Sequence, residues 1–361
     1  MDETVRLLTE LINFDTGASG TEAGDCRDWI AKELSSERVR VRTYETASSG
    51  GRDGFHLLAE VPGSSPSSLL LHAHLDTAPF GPREQWPFPP DRASVIRGCV
   101  CGRGALDCKG PLAVWMRLIK DAADAELPFS LKLLVTDLEE TGGEDGAGKL
   151  LNDYPDILDS VSLAVGEGGG YPFVFGGRTF YTFQTGERED DASGISGKAC
   201  SREEVIRILS AGIEKGYYGS EILAYAEGYD TLTGRRMELA PLYEGMEEFF
   251  GSAPQSSLYT AFGDVFGRAL AREVSGAELM GCITPGFSDN RFLRRAGIPT
   301  AGFFPLDLEN PLRGIHGPGE YISLSSLRTA YRVMSRVIAD AALPELLCGG
   351  EPGRADSTLR R

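Results

Sequence analysis

Short apolar segments that end in His, Asp or Glu side chains constrain the fold of this chain more than any other feature. The apolar residues 69–71 run directly into His72 and His74, the apolar segment 130–136 ends in an acidic turn, and segment 161–165 is followed by a glycine-framed glutamate. Aliphatic runs of this length predict buried strands. Open α/β sheets bind their ligands at the carboxyl ends of the strands, where these polar side chains stand.

The rest of the chain alternates between predicted helices and predicted strands. Apolar residues at helical spacing predict helices in segments 2–13, 26–34, 110–121, 256–275, 288–295 and 324–342. Further strands are predicted in segments 38–44, 55–61, 277–283 and 298–304. This alternation predicts an α/β fold, with a doubly wound mixed sheet covered by helices on both faces.

The middle of the chain has a different pattern. Segment 188–255 is polar and glycine-spaced and is predicted to be mainly helical, and residues 201–204 match a capping box at the start of one predicted helix. We therefore predict one domain in two parts, 1–187 and 256–342, interrupted by a small insertion. Residues 343–361 lack apolar periodicity and are predicted to form a flexible tail.

Charge and segment length exclude several classes of partner. The formal net charge of −17 repels phosphate backbones and anionic lipids, so neither nucleic acid nor a membrane is an expected partner. No segment approaches the roughly 18 apolar residues of a membrane span, and the first residues lack the features of a secretory signal. The seven cysteines are odd in number and irregularly spaced. A cytoplasmic location is the expectation.

His74 and Asp76 stand two residues apart at the end of the predicted strand 69–71. Alternate residues of a strand share a face, so Asp76 could hold one ring nitrogen of His74 while the other binds a metal. By itself, the pattern also fits a surface histidine or a hydrogen-bonded core histidine.

Acidic residues in two further turns could take part in the same site. Asp107 lies in the glycine-spaced loop 102–110, where one carboxylate could bridge two metals or cap the next helix. Glu139 and Glu140 end a strand, and neighbouring buried carboxylates repel unless a metal or a shared proton compensates. One could bind metal while the other takes a proton from water; alternatively, the pair lies in a solvated turn.

Two more side chains complete the set. Glu167 lies in a glycine-rich loop after a strand, and His316 is the only histidine after position 74. A lone histidine is usually structural. Together, however, these His, Asp and Glu residues follow one another in strand-end turns and offer nitrogen and oxygen ligands without thiolate, which suits two hydrolytic zinc ions.

These motifs resemble those of the superfamily of acetylornithine deacetylase, succinyl-diaminopimelate desuccinylase, aminoacylase, and the glutamate and glycine carboxypeptidases. The matching segments are 71–77, 102–110, 139–142, 165–167, 287–292 and 316–318. The resemblance covers residues 1–186 and 256–342. It implies a sheet of the zinc-exopeptidase type, with the insertion 188–255 in place of the family's α+β lid.

The resemblance also implies which residues would bind two divalent metals. The implied ligands are two pairs joined by a bridging carboxylate: His74 with Glu167, Glu140 with His316, and Asp107 between them. Zinc is the expected metal, with cobalt or manganese as alternatives. His72 would not be a ligand, and the Asp107–Cys108 peptide bond is expected to be cis.

The implied reaction is the hydrolysis of an amide bond next to a carboxylate. Glu139 would take a proton from a water held between the metals and pass it to the leaving amine, while Asp76 would orient His74. Arg291 could position a substrate carboxylate or form a structural ion pair with Asp289. Asn290 belongs to the same motif and is a further candidate for substrate binding.

The chain departs from the family in its insertion. The family's lid supplies a histidine that stabilises the tetrahedral oxyanion, and no histidine occurs between residues 75 and 315 here. An oxyanion donor contributes on the order of 10²–10³ in rate, so this absence leaves three outcomes open. Arg188, Tyr181 or a backbone amide of segment 166–177 could substitute for the histidine, the substrate could differ from that of the usual members, or hydrolysis could have been lost. Arg188 is also a candidate for substrate binding.

Three functions stay open at this level. The first is an amidohydrolase or exopeptidase acting on an N-acyl amino acid or a dipeptide-like substrate, as a monomer or as a dimer not assembled through the lid. The second is a homologue without turnover that has a binding or biosynthetic accessory role. The third is a lidless metal aminopeptidase. Retention of Glu139 and every implied ligand favours the first, and loss of the lid histidine favours the second.

Overall fold

The computed structural model describes residues 2–48, 51–175, 178–187, 257–284, 288–308, 310 and 315–349. The predicted insertion, which includes Arg188, and residues 350–361 of the predicted tail lie outside these ranges.

A mixed sheet of nine strands forms the centre of the described fold. The strands of this sheet and of a second, smaller sheet are, in chain order, β1 (Arg40–Thr46), β2 (Gly54–Val61), β3 (Ser68–His74), β4 (Ser94–Ile96), β5 (Cys99–Cys101), β6 (Ser130–Thr136), β7 (Val161–Gly166), β8 (Pro172–Phe175), β9 (Arg178–Glu187), β10 (Ala277–Thr284), β11 (Thr300–Gly302) and β12 (Tyr321–Ser323). The order in the large sheet is β1-β2-β6-β3-β7-β11-β9-β10, and β8 pairs with β9. Strands β12, β5 and β4 form a second, smaller sheet.

The middle of the large sheet is parallel and buried on both faces. Strands β6, β3, β7 and β11 are parallel neighbours, and β3 and β6 are buried along their whole length. In β3, Leu69 and Leu71 belong to the larger hydrophobic core, whereas Leu70, on the opposite face, belongs to the smaller one. The predicted doubly wound α/β sheet is confirmed.

Helices supply the apolar residues of both cores. They are α1 (Glu3–Ile12), α2 (Ala23–Leu34), α3 (Lys109–Ala123), α4 (Lys149–Asp153), α5 (Ser257–Glu273), α6 (Asn290–Arg295), α7 (Leu324–Ile338) and α8 (Leu343–Gly349). Helices α4 and α6 contribute to the smaller core, and the other six to the larger one. Within the described residues, no helix combines the length and the apolar composition that crossing a membrane requires.

Two predictions about local structure are wrong. Residues 343–349 belong to helix α8 rather than to a flexible tail, because Leu343 and Leu347, one helical turn apart, are both buried. The predicted strand 298–304 is reduced to the short β11, which pairs with β7 and β9. Strands β4, β5 and β12 were not predicted from the sequence, because three residues are too few to show an alternating pattern.

Candidate metal centre

The predicted ligands meet at one edge of the nine-stranded sheet. His74 is the last residue of β3, and Glu167 directly follows β7. Glu139 and Glu140 lie in one turn of 3₁₀ helix after β6. Because β3, β6 and β7 are parallel, their carboxyl ends open onto the same crevice, where α/β sheets bind ligands.

Asp107 lies between two histidines that come from distant parts of the chain. Its Oδ1 is 3.0 Å from His74 Nε2, and its Oδ2 is 3.0 Å from His316 Nε2. His316 Nε2 also lies 3.0 Å from Glu140 Oε2, while His74 Nε2 lies 3.6 Å from Glu167 Oε2. Asp107 thus lies between a His74–Glu167 pair and a Glu140–His316 pair, which is the arrangement expected of the predicted ligands.

Glu139 lies beside these two pairs. Its Oε2 is 3.9 Å from His74 Nε2, and the residue is only 8% exposed, which excludes a solvated turn for this side chain. Burial raises the pKa of Glu139 well above its ordinary value, against the opposing effect of His74, and the nearby Glu167 and Glu140 raise it further. Burial and the nearby Asp107 raise the pKa of Glu140 to about 6.

The chemistry of this cluster fits divalent metal ions. In the described part of the chain, three groups of side chains could each hold a metal ion, and within each group the potential ligand atoms lie within 4.8 Å of one another. The groups are His74, Asp107, Cys108 and Glu167; His74, Glu139 and Glu140; and Asp107, Glu140 and His316. Glu167 Oε1 is buried and has no hydrogen-bond partner in the described part of the chain. Crowded buried carboxylates require cations nearby to remain ionised, and imidazole with carboxylate is a donor set that zinc accepts.

Asp107 does not cap the helix that follows it. Helix α3 has Cys108 at its N-cap without a side-chain cap, and the Asp107–Cys108 peptide bond is cis, as predicted. The Cys108 thiol lies within the first ligand group, a position that the sequence analysis did not predict. Burial raises the pKa of this thiol well above its ordinary value, which disfavours the thiolate that metals bind.

Asp76 contacts His74 through its backbone and the acidic turn through its carboxylate. His74 Nδ1 lies 3.0 Å from the Asp76 carbonyl oxygen and 3.4 Å from Asp76 Oδ1. The carboxylate accepts hydrogen bonds from the backbone N–H groups of Glu139 at 3.2 Å and Glu140 at 3.0 Å. Asp76 thereby connects the ring of His74 to the turn that carries Glu139 and Glu140.

His72 lies away from these ligand groups. Its Nε2 is 2.9 Å from Thr136 Oγ1, which donates a hydrogen bond to Asp289 Oδ2 at 2.7 Å. The Trp115 indole donates to the His72 carbonyl oxygen at 3.1 Å. Burial lowers the pKa of His72 to about 3, so the imidazole is neutral.

Asn290 is fully buried and holds the loop that carries Glu167. Its Nδ2 donates to the Glu167 carbonyl oxygen at 2.8 Å and to Gln184 Oε1 at 3.0 Å. Arg294 Nη2 donates to the same Gln184 oxygen at 2.8 Å. Gln184 was not predicted, because β9 mixes polar and aromatic residues and nothing in that pattern distinguishes this side chain. The contacts of Asn290 are those of a residue that supports the site.

Arg291 and Tyr181 are also buried. The Arg291 guanidinium donates to the Gly142 carbonyl oxygen, lies 3.9 Å from Glu144 Oε1, and lies over the Phe292 ring at 4.7 Å. Tyr181 is 1% exposed in β9, within the larger core. Arg291 thus contacts the Gly142 turn beside Glu140, and Tyr181 packs inside the sheet.

An ion pair between the fully buried Asp137 and the partly buried Arg52, which the sequence did not predict, fixes the start of the acidic turn. Arg52 Nη1 and Nη2 lie 2.5 and 2.7 Å from the two carboxylate oxygens of Asp137. Asp137 is fully buried and also accepts hydrogen bonds from the backbone N–H groups of Phe55 and Leu138. Leu138 has a φ of 69°, and the residues that follow it are Glu139 and Glu140.

Replacing only the arginine of this ion pair is expected to destabilise the protein. Arg52→Met should lower the free energy of unfolding by about 3–5 kcal/mol, because Asp137 would stay buried without a cation. Urea denaturation followed by circular dichroism measures this change. The matched control is Arg42→Met, since Arg42 and Asp156 are 48% and 54% exposed and an exposed pair contributes less than about 1 kcal/mol. Equal effects of the two substitutions would contradict the assignment.

Zinc binding to the metal-free protein is expected to release protons. Burial opposes the charged form of His316, but hydrogen bonds to Asp107 and Glu140 outweigh it and raise the pKa of His316 to about 11. The ring is therefore protonated at pH 7, and a metal must displace that proton. Zinc affinity should thus weaken as pH falls, by about tenfold per pH unit for each proton released.

Calorimetry in buffers of different ionisation enthalpy counts these protons. His316→Ala should lower the count. His56→Gln is the control, because burial lowers the pKa of His56 to about 3 and its ring lies outside the three ligand groups. Zinc binding without proton release would show that the ligands are deprotonated beforehand.

Comparison with known sequences gives a family match and a set of similar curated proteins. The model of the peptidase family M20/M25/M40 matches residues 70–340. A cysteinylglycine-S-conjugate dipeptidase of Corynebacterium striatum is 29% identical over 169 residues, which are 45% of this chain and 36% of the relative. A probable succinyl-diaminopimelate desuccinylase of Staphylococcus aureus is 29% identical over 183 residues, 48% of this chain and 42% of the relative. The chain therefore matches less than half the length of either curated relative.

Comparison with solved structures shows the same fold. Human carnosine dipeptidase 1 superposes with a TM-score of 0.63 at 13% sequence identity, over 96% of this chain and 97% of that chain. At this level of identity the likeness establishes a shared fold.

Proposed function

Because the chain belongs to the peptidase family M20/M25/M40, we propose that it is a two-metal amidohydrolase or exopeptidase. Its substrate would be an N-acyl amino acid or a dipeptide-like molecule. The observation that carries this proposal is the position of Asp107, whose two carboxylate oxygens lie 3.0 Å from the ring nitrogens of His74 and His316. A carboxylate placed in this way can serve two metals at once.

The proposed ligands divide into the two pairs on either side of Asp107. His74 and Glu167 would hold one ion, and Glu140 and His316 would hold the other. Divalent metals in such a site, zinc in the first instance, polarise a substrate carbonyl and lower the pKa of water. Asp76 would fix the ring of His74 and the backbone of the acidic turn together.

Glu139 is the proposed general base. Its Oε2 would accept a proton from the attacking water and later donate it to the nitrogen of the leaving amine. Burial and the neighbouring carboxylates raise the pKa of Glu139, which favours return of the proton to the leaving amine, while nearby cations would favour the ionised form that accepts it. Amide substrates are supported by the two curated relatives, which are named as a dipeptidase and a desuccinylase.

The test combines metal analysis with a substrate panel. Elemental analysis of the purified protein should give two divalent metals per chain. Release of free amine should then be measured with N-acetyl amino acids, N-succinyl amino acids and dipeptides, each with a free and with an amidated carboxyl group. We expect turnover of a substrate with a free carboxylate, its loss in the metal-depleted protein, and its return when zinc is restored.

Other outcomes would redirect the assignment. Turnover that requires a free amine but tolerates the amidated carboxyl group would indicate an aminopeptidase. Two bound metals without turnover of any substrate would indicate a homologue with a binding role. A protein that binds no metal even after zinc is added would refute the proposal.

A further inference from the structure

Arg103 and Glu320 form a buried ion pair next to the proposed ligands. Arg103 Nη1 lies 2.7 Å from Glu320 Oε2, and the two side chains are 2% and 0% exposed. The Trp86 ring covers the guanidinium at 5.0 Å. Replacing such a pair by apolar residues is often neutral or stabilising, so stability alone does not account for its presence.

Glu320 holds the loop that carries Asp107. Its Oε1 accepts hydrogen bonds from the backbone N–H groups of Leu106 at 2.8 Å and Asp107 at 3.1 Å. Its Oε2 accepts a third from Gly104 at 3.1 Å. One carboxylate thus fixes three N–H groups of a single loop, and with them the position of the Asp107 side chain.

Arg103 holds the segment that carries His316. Its Nη2 donates to the backbone carbonyl oxygens of His316 and Pro79, each at 2.9 Å. His316 has a φ of 59°, a left-handed conformation that is uncommon for a residue with a side chain and persists where surrounding contacts hold it. The guanidinium is such a contact, because it binds the carbonyl of this same residue.

We infer that the Arg103–Glu320 pair is a positioning device that sets the spacing between Asp107 and His316. Through this spacing it controls the affinity of the metal held by Asp107, Glu140 and His316. The inference rests on the proposed function, since it presupposes a metal at these residues. Arg103 and Glu320 are positioning residues, because each acts through the backbone of a ligand.

Metal titration of three variants tests the inference. In Arg103→Lys the charge remains, but one ammonium cannot replace a planar guanidinium that spans three acceptors. The double variant Arg103→Met/Glu320→Gln leaves no unpaired charge in the core and should therefore stay folded. Glu33→Gln is the matched control, because Glu33, on helix α2, pairs with Arg6 of α1 and Lys120 of α3. Zinc is titrated into each metal-free protein by calorimetry, and near-ultraviolet circular dichroism measures the folded fraction.

We expect the affinity for one of the two zinc ions to fall by about 10–100-fold in Arg103→Lys and in the double variant. This is the typical loss when residues that hydrogen-bond to a metal ligand are removed. The other zinc ion shares only Asp107 with the positioned segments, so its affinity should fall by a clearly smaller factor, and Glu33→Gln should bind both ions as the wild type does. A general loss of structure would not select one equivalent.

Other results separate the inference from the proposed function. If the wild type binds two zinc ions and both variants bind them equally tightly, the inference is refuted and the proposed function stands. Affinity that falls only in proportion to the folded fraction also refutes the inference. If the wild type itself binds no zinc, the proposed function fails and the inference fails with it.

Discussion

Glu139→Gln is expected to lower kcat by about 10²–10⁴-fold, the range that a positioned general base contributes, while both metals stay bound. Glutamine has nearly the volume of glutamate but cannot accept the proton of the attacking water. Metal content should be preserved because the two ligand pairs on either side of Asp107 do not require Glu139. Steady-state kinetics on the best substrate of the panel, together with elemental analysis of the same sample, measure both quantities.

Two further variants make this result specific. Glu139→Asp keeps a carboxylate on a side chain that is shorter by one methylene. The kcat of this variant should lie between those of the wild type and Glu139→Gln. Glu37→Gln makes the same chemical change at an exposed position and should leave kcat unchanged. If Glu139→Gln loses metal as well as activity, Glu139 is a ligand rather than the base.

Asp107→Ala is expected to abolish tight binding of both metals and, with it, hydrolysis. The side chain offers one oxygen to each ligand pair, so its removal takes a donor from two sites at once. The affinity of each metal should fall by more than about 100-fold, since even outer-shell partners of a ligand contribute 10–100-fold. Zinc calorimetry of the metal-free variant measures the effect.

The comparison for this prediction is His316→Ala, which should weaken one metal far more than the other. Asp91→Ala is the neutral control, because Asp91 pairs with the exposed Arg83 outside the three ligand groups. If Asp107→Ala weakens only one of two zinc equivalents, Asp107 does not bridge the metals, and the arrangement of the proposed site is wrong.

The sequence predicts much of this site because its residues stand at the ends of recognisable strands. The apolar residues of β3, β6 and β7 are visible as runs, and parallel strands bring their carboxyl ends together. The strand pattern alone therefore predicts a common location for His74, Glu139 and Glu167. The glycines around Asp107 indicate a backbone-lined loop, and the resemblance pairs His316 with Glu140.

The supporting contacts could not be predicted because they join residues that only the fold brings together. Nothing local to Glu320 indicates that its oxygens accept hydrogen bonds from Leu106 and Asp107. Arg52 and Asp137 are similarly remote in sequence. In the sequence, these residues show only as charged residues beside apolar strands. Charged residues at such positions are also typical of solvated turns.

The pairing of β12 with β5 joins the segment after His316 to the segment before Asp107. A metal held by Asp107 and His316 would therefore cross-link these two segments and close the long loop between them. Closing a long loop restricts the entropy of the unfolded chain more than closing a short one. Chelation should then accelerate global unfolding, and the metal-loaded protein should resist proteolysis for longer than the metal-free protein. The same ions that are proposed for chemistry would set the lifetime of the folded chain.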